Sequence, residues 1–555
     1  MWFIPLFVII LVRILARPSR SRYLELGAYV WGGTLNQPSG TITERLAKAK
    51  ADPKLFVNRE IFNQKGVSMK GMKWLVLLAT AMITGCAQSP PEQQTINDAA
   101  SALGGRDKIL AVKTLILEGG GTNGNLGQDV TPEATSQMFT LTDYKRVVDV
   151  AAGRVRVEQT RTPNFTFFQG QQAQKQVFGI DGDVAYNIAA DGTAARAPNA
   201  AANDRRMEIY HHPLTLVRAA LDPNAKLSNP RTENSQNLVD ITTANNLKFT
   251  LAIDSSTKLP TRVVSMTDNT NLGDVAVETT FADYQDVAGL RLPTGLTTKT
   301  DKYPTAEIRV AKQSIDGDAG DLAAPAAAAS AAPIPGPPPP NVTVQEVAKG
   351  IWHLAGQSHH SVVVEFSDHL TLIETPQNDV RALAVIAKAR ELRPNKPLTH
   401  VINSHHHFDH SGGLRAAVSE GLTIITQSAA APYYKEAMSR PHTIVPDALA
   451  KDPKPLKIET VDDEMVLKDD TMTVNLYHIS GNPHADTLLM AYFPKERILV
   501  EADVFNPGAP VSPYAPNLME NIRKHKLQID RIVPLHATIA PYGDLLKVVA
   551  TRTSD

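Results

Sequence analysis

Residues 404–413 read Ser-His-His-His-Phe-Asp-His-Ser-Gly-Gly (SHHHFDHSGG). In an extended or turning backbone the side chains at i and i+2 share a side, so His405 and His407 can grip one cation together. The turn carries Asp409 and His410 onward, where they can grip a second cation a few ångströms away. His406 takes the intervening position and is expected to point away from both. Gly412 and Gly413, lacking side chains, let the backbone open the next helix close to the site. The preceding run THVINS (399–404) is apolar and β-branched, as a buried strand that delivers the motif should be. A merely solvated His-rich loop would not bring the strand, the Asp and the Gly pair together.

On the N-terminal side of the motif the grammar is α/β. IWHLAG (351–356), SVVVEF (361–366) and HLTLIET (369–375) read as successive strands, and RALAVIAKARELR (381–393) as a helix. Fourteen of the sixteen histidines lie beyond residue 350, which places the chemistry there. The chain has one cysteine, Cys86, so no intrachain disulfide and no thiolate-rich metal site can form. Any metal must be held by histidine and carboxylate.

On these residues, 342–555 resembles the metallo-β-lactamase superfamily. The resemblance implies an αβ/βα sandwich and adds three ligands, of which the last two end apolar strands. These are His484 in HISGNPHADTLLMAYF (478–493), Asp503 in RILVEADVFNP (497–507) and His536 in RIVPLHATIAP (531–541). By resemblance, metal one takes His405, His407 and His484; metal two takes Asp409, His410 and His536; and Asp503 bridges them. A sulfur-free set of this kind suits two Zn²⁺ ions, with Fe or Mn permitted.

The implied activity is metal-dependent hydrolysis of an ester, lactone, amide or related bond in a small molecule. Asp409 is the expected catalytic residue, orienting the attacking water and accepting its proton. Three positions depart from the family pattern. Glu374 replaces the usual Asp and is expected to orient a ligand histidine, Ala537 replaces the usual Gly, and Asp503 stands where the commonest zinc β-lactamases carry Cys. His359 and His360 sit at the rim of the expected pocket, either as substrate contacts or as a polar turn. Two other readings stay open: a lipophilic-ligand-binding lipoprotein with a vestigial hydrolase domain, and a one-iron oxygenase of the same fold.

Upstream the expected organisation is α+β multidomain. Residues 87–316 alternate β-branched runs with turn residues, among them RVRVEQT, LKFTLAID and EIRVAK, after an amphipathic helical opening. Asp181-Gly182 marks a hairpin, and RMEIYHHPLTLVRAAL (206–221) is a helical insert broken near Pro213. His211 and His212 are expected at the surface or at a helix end, without a ligand role. The segment IDSSTKLPTRVVSM with FADYQDVAGLRLPTGLTTKT resembles the repeating hairpins of periplasmic lipoprotein-carrier (Lol-type) domains, which implies a curved antiparallel domain. Residues 317–341 (GDAGDLAAPAAAASAAPIPGPPPPN) read as a semi-rigid spacer that separates the two domains cleanly.

Residues 69–86 have a basic start, a short apolar run and Ile-Thr-Gly-Cys, which resembles the lipobox of bacterial lipoproteins. This implies a lipid anchor at Cys86 and a periplasm-facing place in the cell envelope, with Ala87 pointing to the outer membrane. Residues 1–68 are then an upstream extension, with Met69 or Met72 the expected natural start; an anchoring helix over 2–16 is the alternative. Export disfavours RNA processing and glutathione thioesters as substrates. With 56 Lys+Arg against 57 Asp+Glu, no net field recruits nucleic acid.

Overall fold

Thirteen antiparallel strands between Thr114 and Ile315 form a single sheet. Strand Thr114–Gly124 is central: it pairs with Met138–Asp149 on one side and with the last strand, Tyr303–Ile315, on the other. The chain thus meanders out to one edge, crosses over through two helices, and meanders back from the other edge. The structure is a computed structural model that describes residues 89–133, 137–167, 170–509 and 512–552. The proposed export signal with Cys86, and the extension before it, lie outside the described residues. Among the described residues no helix is long and apolar enough to cross a membrane.

Alternation along these strands puts Leu115, Leu117, Val155, Val157, Leu251 and Val263 into one core, closed by helices Pro91–Ala102, Arg106–Ala111 and Pro213–Ala220. Gly119–Gly121 sit where the register of the central strand shifts. A Cβ at Gly119 would lie 2.0 Å from the Arg309 carbonyl oxygen, so the close strand approach requires glycine there.

The helical insert is interrupted as expected, between Asn199–Glu208 and Pro213–Ala220, and His212 caps the second helix by accepting from Leu214 N. A surface position for the pair does not hold. His211 and His212 are 5% and 2% exposed; Thr279 and Ser265 on distant strands offer hydroxyls at 2.9 and 2.8 Å to the His211 ring. Burial, with the Arg146 guanidinium nearby, pushes the two imidazoles down to about 4 and about 3, so both are neutral in the fold.

Beyond residue 342 two sheets stack. One has seven strands running in sequence order from Thr343–Ala348 to Ile458–Val461; the other has six, from Glu464–Lys468 to Ala540–Pro541. Single strands feed two cores by alternation. Val362 and Val364 face the second sheet while Val363 faces the helices; Ile402 and Ile425 face inward while Val401 and Ile424 face out. Helix Asp379–Leu392 covers the first sheet and helix Ala515–Lys524 the second, giving the four layers α/β/β/α.

The expected clean separation of the two parts is not what the structure has. Residues from 89 onward form one compact unit. Leu272, Val275 and Tyr303 of the large sheet belong to the same apolar cluster as Leu354, Leu414 and Tyr433. Polar contacts reinforce it: Arg440 pairs with Asp301 at 2.5 Å, and the Asp274 carboxylate accepts from Thr443 N and Ile444 N. Nor is 317–341 a free spacer. Its alanines are small enough to lie flat, so helix Ala326–Ser330 packs against the large sheet with Ala328 and Leu322 buried, and Arg196 donates to Ala331 O.

Candidate metal centre

Strand Leu398–Ile402 runs parallel between its two neighbours and ends at the bottom of the site. Asn403 N donates to Ile425 O, and Tyr434 Oη donates to the carbonyl of His405 and to Asn403 Oδ1, so the histidine run leaves the sheet on a fixed path. His407 caps the short helix Phe408–Ser411, whose Ser411 hydroxyl donates back to the carbonyls of His406 and His407. Gly412 and Gly413 are needed for packing. A Cβ on either would fall 2.1 Å from Gln377 O or 2.5 Å from Thr375 O.

Two groups of donor atoms result. His405, His407, His484 and Asp503 form one, and His359, Asp409, His410 and His536 the other; within each, the candidate atoms lie within 4.8 Å of one another. All seven residues singled out from the sequence are brought together. Asp503 stands between the groups: Oδ2 is 3.0 Å from His484 Nε2 and 3.1 Å from His410 Nε2, and Oδ1 is 3.2 Å from His536 Nε2. It occupies a turn after strand Ile498–Glu501 with φ +64°, and the buried Glu501 carboxylate accepts from Val504 N and Phe505 N to hold that turn. His359 joins the second group as an eighth residue, its Nε2 3.1 Å from Asp409 Oδ2. The sequence placed it at the rim; what seats it inside is buried Arg381, which donates to the His359 and Asn341 carbonyls.

The hydrogen bonds fix which ring nitrogens are bare. Glu374, fully buried, has one oxygen 2.9 Å from His410 Nδ1 and accepts from Ser404 N with the other, which leaves His410 Nε2 facing the site. The Ser404 hydroxyl engages His405 Nδ1 at 2.9 Å. His405 Nε2 and His407 Nδ1 are then buried with no hydrogen-bond partner. A buried imidazole nitrogen without a partner is costly unless a cation takes it. The donor set therefore fits a metal on a structural ground.

Electrostatics agree. Burial, aided by the neighbouring imidazoles, holds His405 and His407 well below the usual histidine value, so their free nitrogens keep a lone pair. Burial alone would raise Asp503 and Asp409. The charges and hydrogen bonds of His536, His410 and His484 outweigh it at Asp503, and those of His410, His359 and His536 at Asp409; both carboxylates stay well below the usual range.

Sequence reasoning missed the neighbours that the large sheet supplies. Gln128 Nε2 donates to Asp409 Oδ1 at 2.7 Å, and the Asp129 carbonyl oxygen lies 2.8 Å from His407 Nε2 and 2.9 Å from His406 Nε2. No local signal in residues 125–133 marks them. His406 does point away from the two clusters, as expected, but it is buried, its Nδ1 2.7 Å from the Thr487 hydroxyl.

Residues 355–543 match the family model described as the metallo-β-lactamase superfamily. Over these residues the chain is similar to the metallo-β-lactamase superfamily. Solved structures similar to the chain include a metallo-β-lactamase from Pontibacter korlensis (14% identity, 39% of this chain and 100% of that one, TM-score 0.32). Another is a metallo-β-lactamase from Hirschia baltica (14% identity, 38% of this chain and 96% of that one, TM-score 0.30). A third is a metallo-β-lactamase from Pseudomonas aeruginosa in its mono-zinc form (14% identity, 38% of this chain and 95% of that one, TM-score 0.31). No curated protein matches the chain.

Proposed function

We propose that the protein is a metal-dependent hydrolase acting on an ester, lactone, amide or related bond of a small molecule, with two metal ions, Zn²⁺ in the simplest case, in the two clusters. The observation that carries the reading is the pair of bare buried nitrogens, His405 Nε2 and His407 Nδ1, beside His484 and Asp503. Dications held there would activate water at neutral pH and polarise the electrophile. The chain's own contribution is to hold eight side chains in place before substrate arrives, and to provide an ionised Asp409 to orient the water and accept its proton. The second cluster is complete, which favours this reading over a one-iron oxygenase.

Elemental analysis of the purified full chain, with a panel of lactone, ester, amide and β-lactam substrates, tests it. Two metal equivalents are expected, with hydrolysis abolished by a chelator and restored by Zn²⁺. A protein that takes up no metal when Zn²⁺ is added, or whose hydrolysis survives chelation, would overturn the reading.

A lipophilic-carrier role has one observation behind it, a 460 Å³ cavity against the large sheet. Its lining mixes Leu141 and Phe178 with Arg146, Glu208, His211 and Asp268, which suits an amphiphile better than a pure hydrocarbon chain. We also propose export and lipid attachment at Cys86, on the sequence pattern alone. Metabolic labelling with a fatty acid should mark the wild type and not Cys86→Ser; a labelled Cys86→Ser protein would sink the anchor.

A further inference from the structure

The 125–133 segment leaves the central strand of the large sheet and runs to the metal centre, more than 270 residues away in sequence. Its seating is specific. Phe408 N, between the ligand candidates His407 and Asp409, donates to Gly127 O at 3.1 Å, and Asp486 N, two residues after His484, donates to Val130 O at 2.8 Å. The Asp129 carboxylate is turned back on its own segment, accepting from Val130 N and Gln137 N, which leaves the Asp129 carbonyl to face the histidines. Gly127 has φ +76°, and a Cβ there would sit 2.2 Å from the Phe408 ring, so the segment approaches as closely as glycine allows.

We propose that this segment is a built part of the metal centre, with the Asp129 carbonyl and the Gln128 side chain acting as positioning groups for His407 and Asp409. A carbonyl oxygen only accepts, so at 2.8 Å it requires the proton of His407 to be on Nε2. The partnerless Nδ1 is thereby bare and aimed into the cluster of His405, His484 and Asp503. Without the segment, His407 is free to take the other tautomer, with a proton where the metal belongs. The second lone pair of the same carbonyl accepts from His406 Nε2, whose Nδ1 takes the Thr487 hydroxyl, so the ring between the two ligands is pinned at both ends. Gln128 acts on the other cluster. Its amide occupies Asp409 Oδ1 at 2.7 Å, while Oδ2 lies 3.1 Å from His359 Nε2 and 3.6 Å from His536 Nε2. The large sheet therefore sets the protonation of one ligand and the orientation of another.

The inference rests on the metal-centre reading, and the test separates the two. In the full chain, Co²⁺ or Zn²⁺ affinity is measured by chelator competition, alongside the visible spectrum of the Co²⁺ protein, for wild type, Gln128→Ala and Gly127→Val. Gln128→Ala should weaken one of two metal equivalents by about 10–100-fold, as loss of a partner behind a ligand does. Gly127→Val, which pushes the segment off Phe408, should weaken both and alter the Co²⁺ spectrum. Unchanged melting of metal-free Gln128→Ala excludes simple unfolding; if Gly127→Val does not fold, Gln128→Ala decides alone. Wild-type affinity and spectrum in Gln128→Ala would overturn the inference and leave the metal centre standing. A wild type that binds no metal would overturn both.

Discussion

Asp409→Ala should lower turnover by about 10²–10⁴-fold, the range for losing a positioned proton acceptor. Four neighbours make this residue different from an ordinary half-buried acid. Burial pushes its carboxyl up, but His410, His359 and His536 push harder in the other direction and hold it well below the usual carboxylate range. Gln128 fixes its orientation. The measurement is kcat together with metal content, because the residue has two proposed jobs: ligand and proton acceptor. Loss of one metal equivalent is expected, and Zn²⁺ added to saturation should refill the cluster without restoring turnover. Full recovery with added Zn²⁺ would reduce Asp409 to a ligand only. Turnover within tenfold of wild type would remove it from both roles.

His406→Ala is the natural comparison, one residue from two ligand candidates and in neither cluster, but it is not a silent control. The ring is buried and bonded to Thr487 and to the Asp129 carbonyl, so removing it takes away one of the segment's ties and leaves a cavity. A loss of stability and a loosened 125–133 segment are expected, with a smaller loss of turnover than in Asp409→Ala.

What the sequence made legible follows from range. The 405–410 motif could be read because its chemistry is local: the i, i+2 geometry, the incoming strand and the glycine pair all lie within fifteen residues. His484, Asp503 and His536 came from the family resemblance; Asp503 and His536 each stand just after an apolar strand, whereas His484 lies in the loop between strands Thr473–His478 and Leu489–Phe493. His359 was half legible. Its neighbourhood was recognised as pocket rim, but its depth depends on Arg381, which reaches it across the fold. Gln128 and Asp129 were not legible at all. The polar connection between two strands has no pattern that names a partner 281 residues further on. The same holds for His211, whose polarity suggested solvent until the distant Thr279 and Ser265 hydroxyls supplied partners. The alanine- and proline-rich stretch before residue 342 misled for the converse reason. Lack of periodicity was read as lack of contacts, yet small side chains can lie against a sheet without any periodic face.

Asp503→Asn should have the widest effect of any single substitution in the site. Among the described residues Asp503 is the one carboxylate within 3.2 Å of imidazoles from both clusters, with His484 and His410 on one oxygen and His536 on the other. Asparagine keeps the size of the side chain and tolerates the left-handed backbone at φ +64°, which alanine would strain. The substitution therefore removes the charge and turns one of the two engaged oxygens into an NH2 that can only donate. Two cations placed a few ångströms apart repel strongly in a buried site, and a shared carboxylate offsets that repulsion more than any neutral imidazole can. Affinity for both metal equivalents should fall by at least about 100-fold, and hydrolysis with it. Asp409→Ala, by contrast, should disturb one equivalent. Titrating Co²⁺ into the two variants side by side separates them. Two weakened equivalents in Asp503→Asn against one in Asp409→Ala fits a shared carboxylate. One weakened equivalent in each would assign Asp503 to a single cluster, and the repulsion between the cations would then have to be met by Asp409 alone.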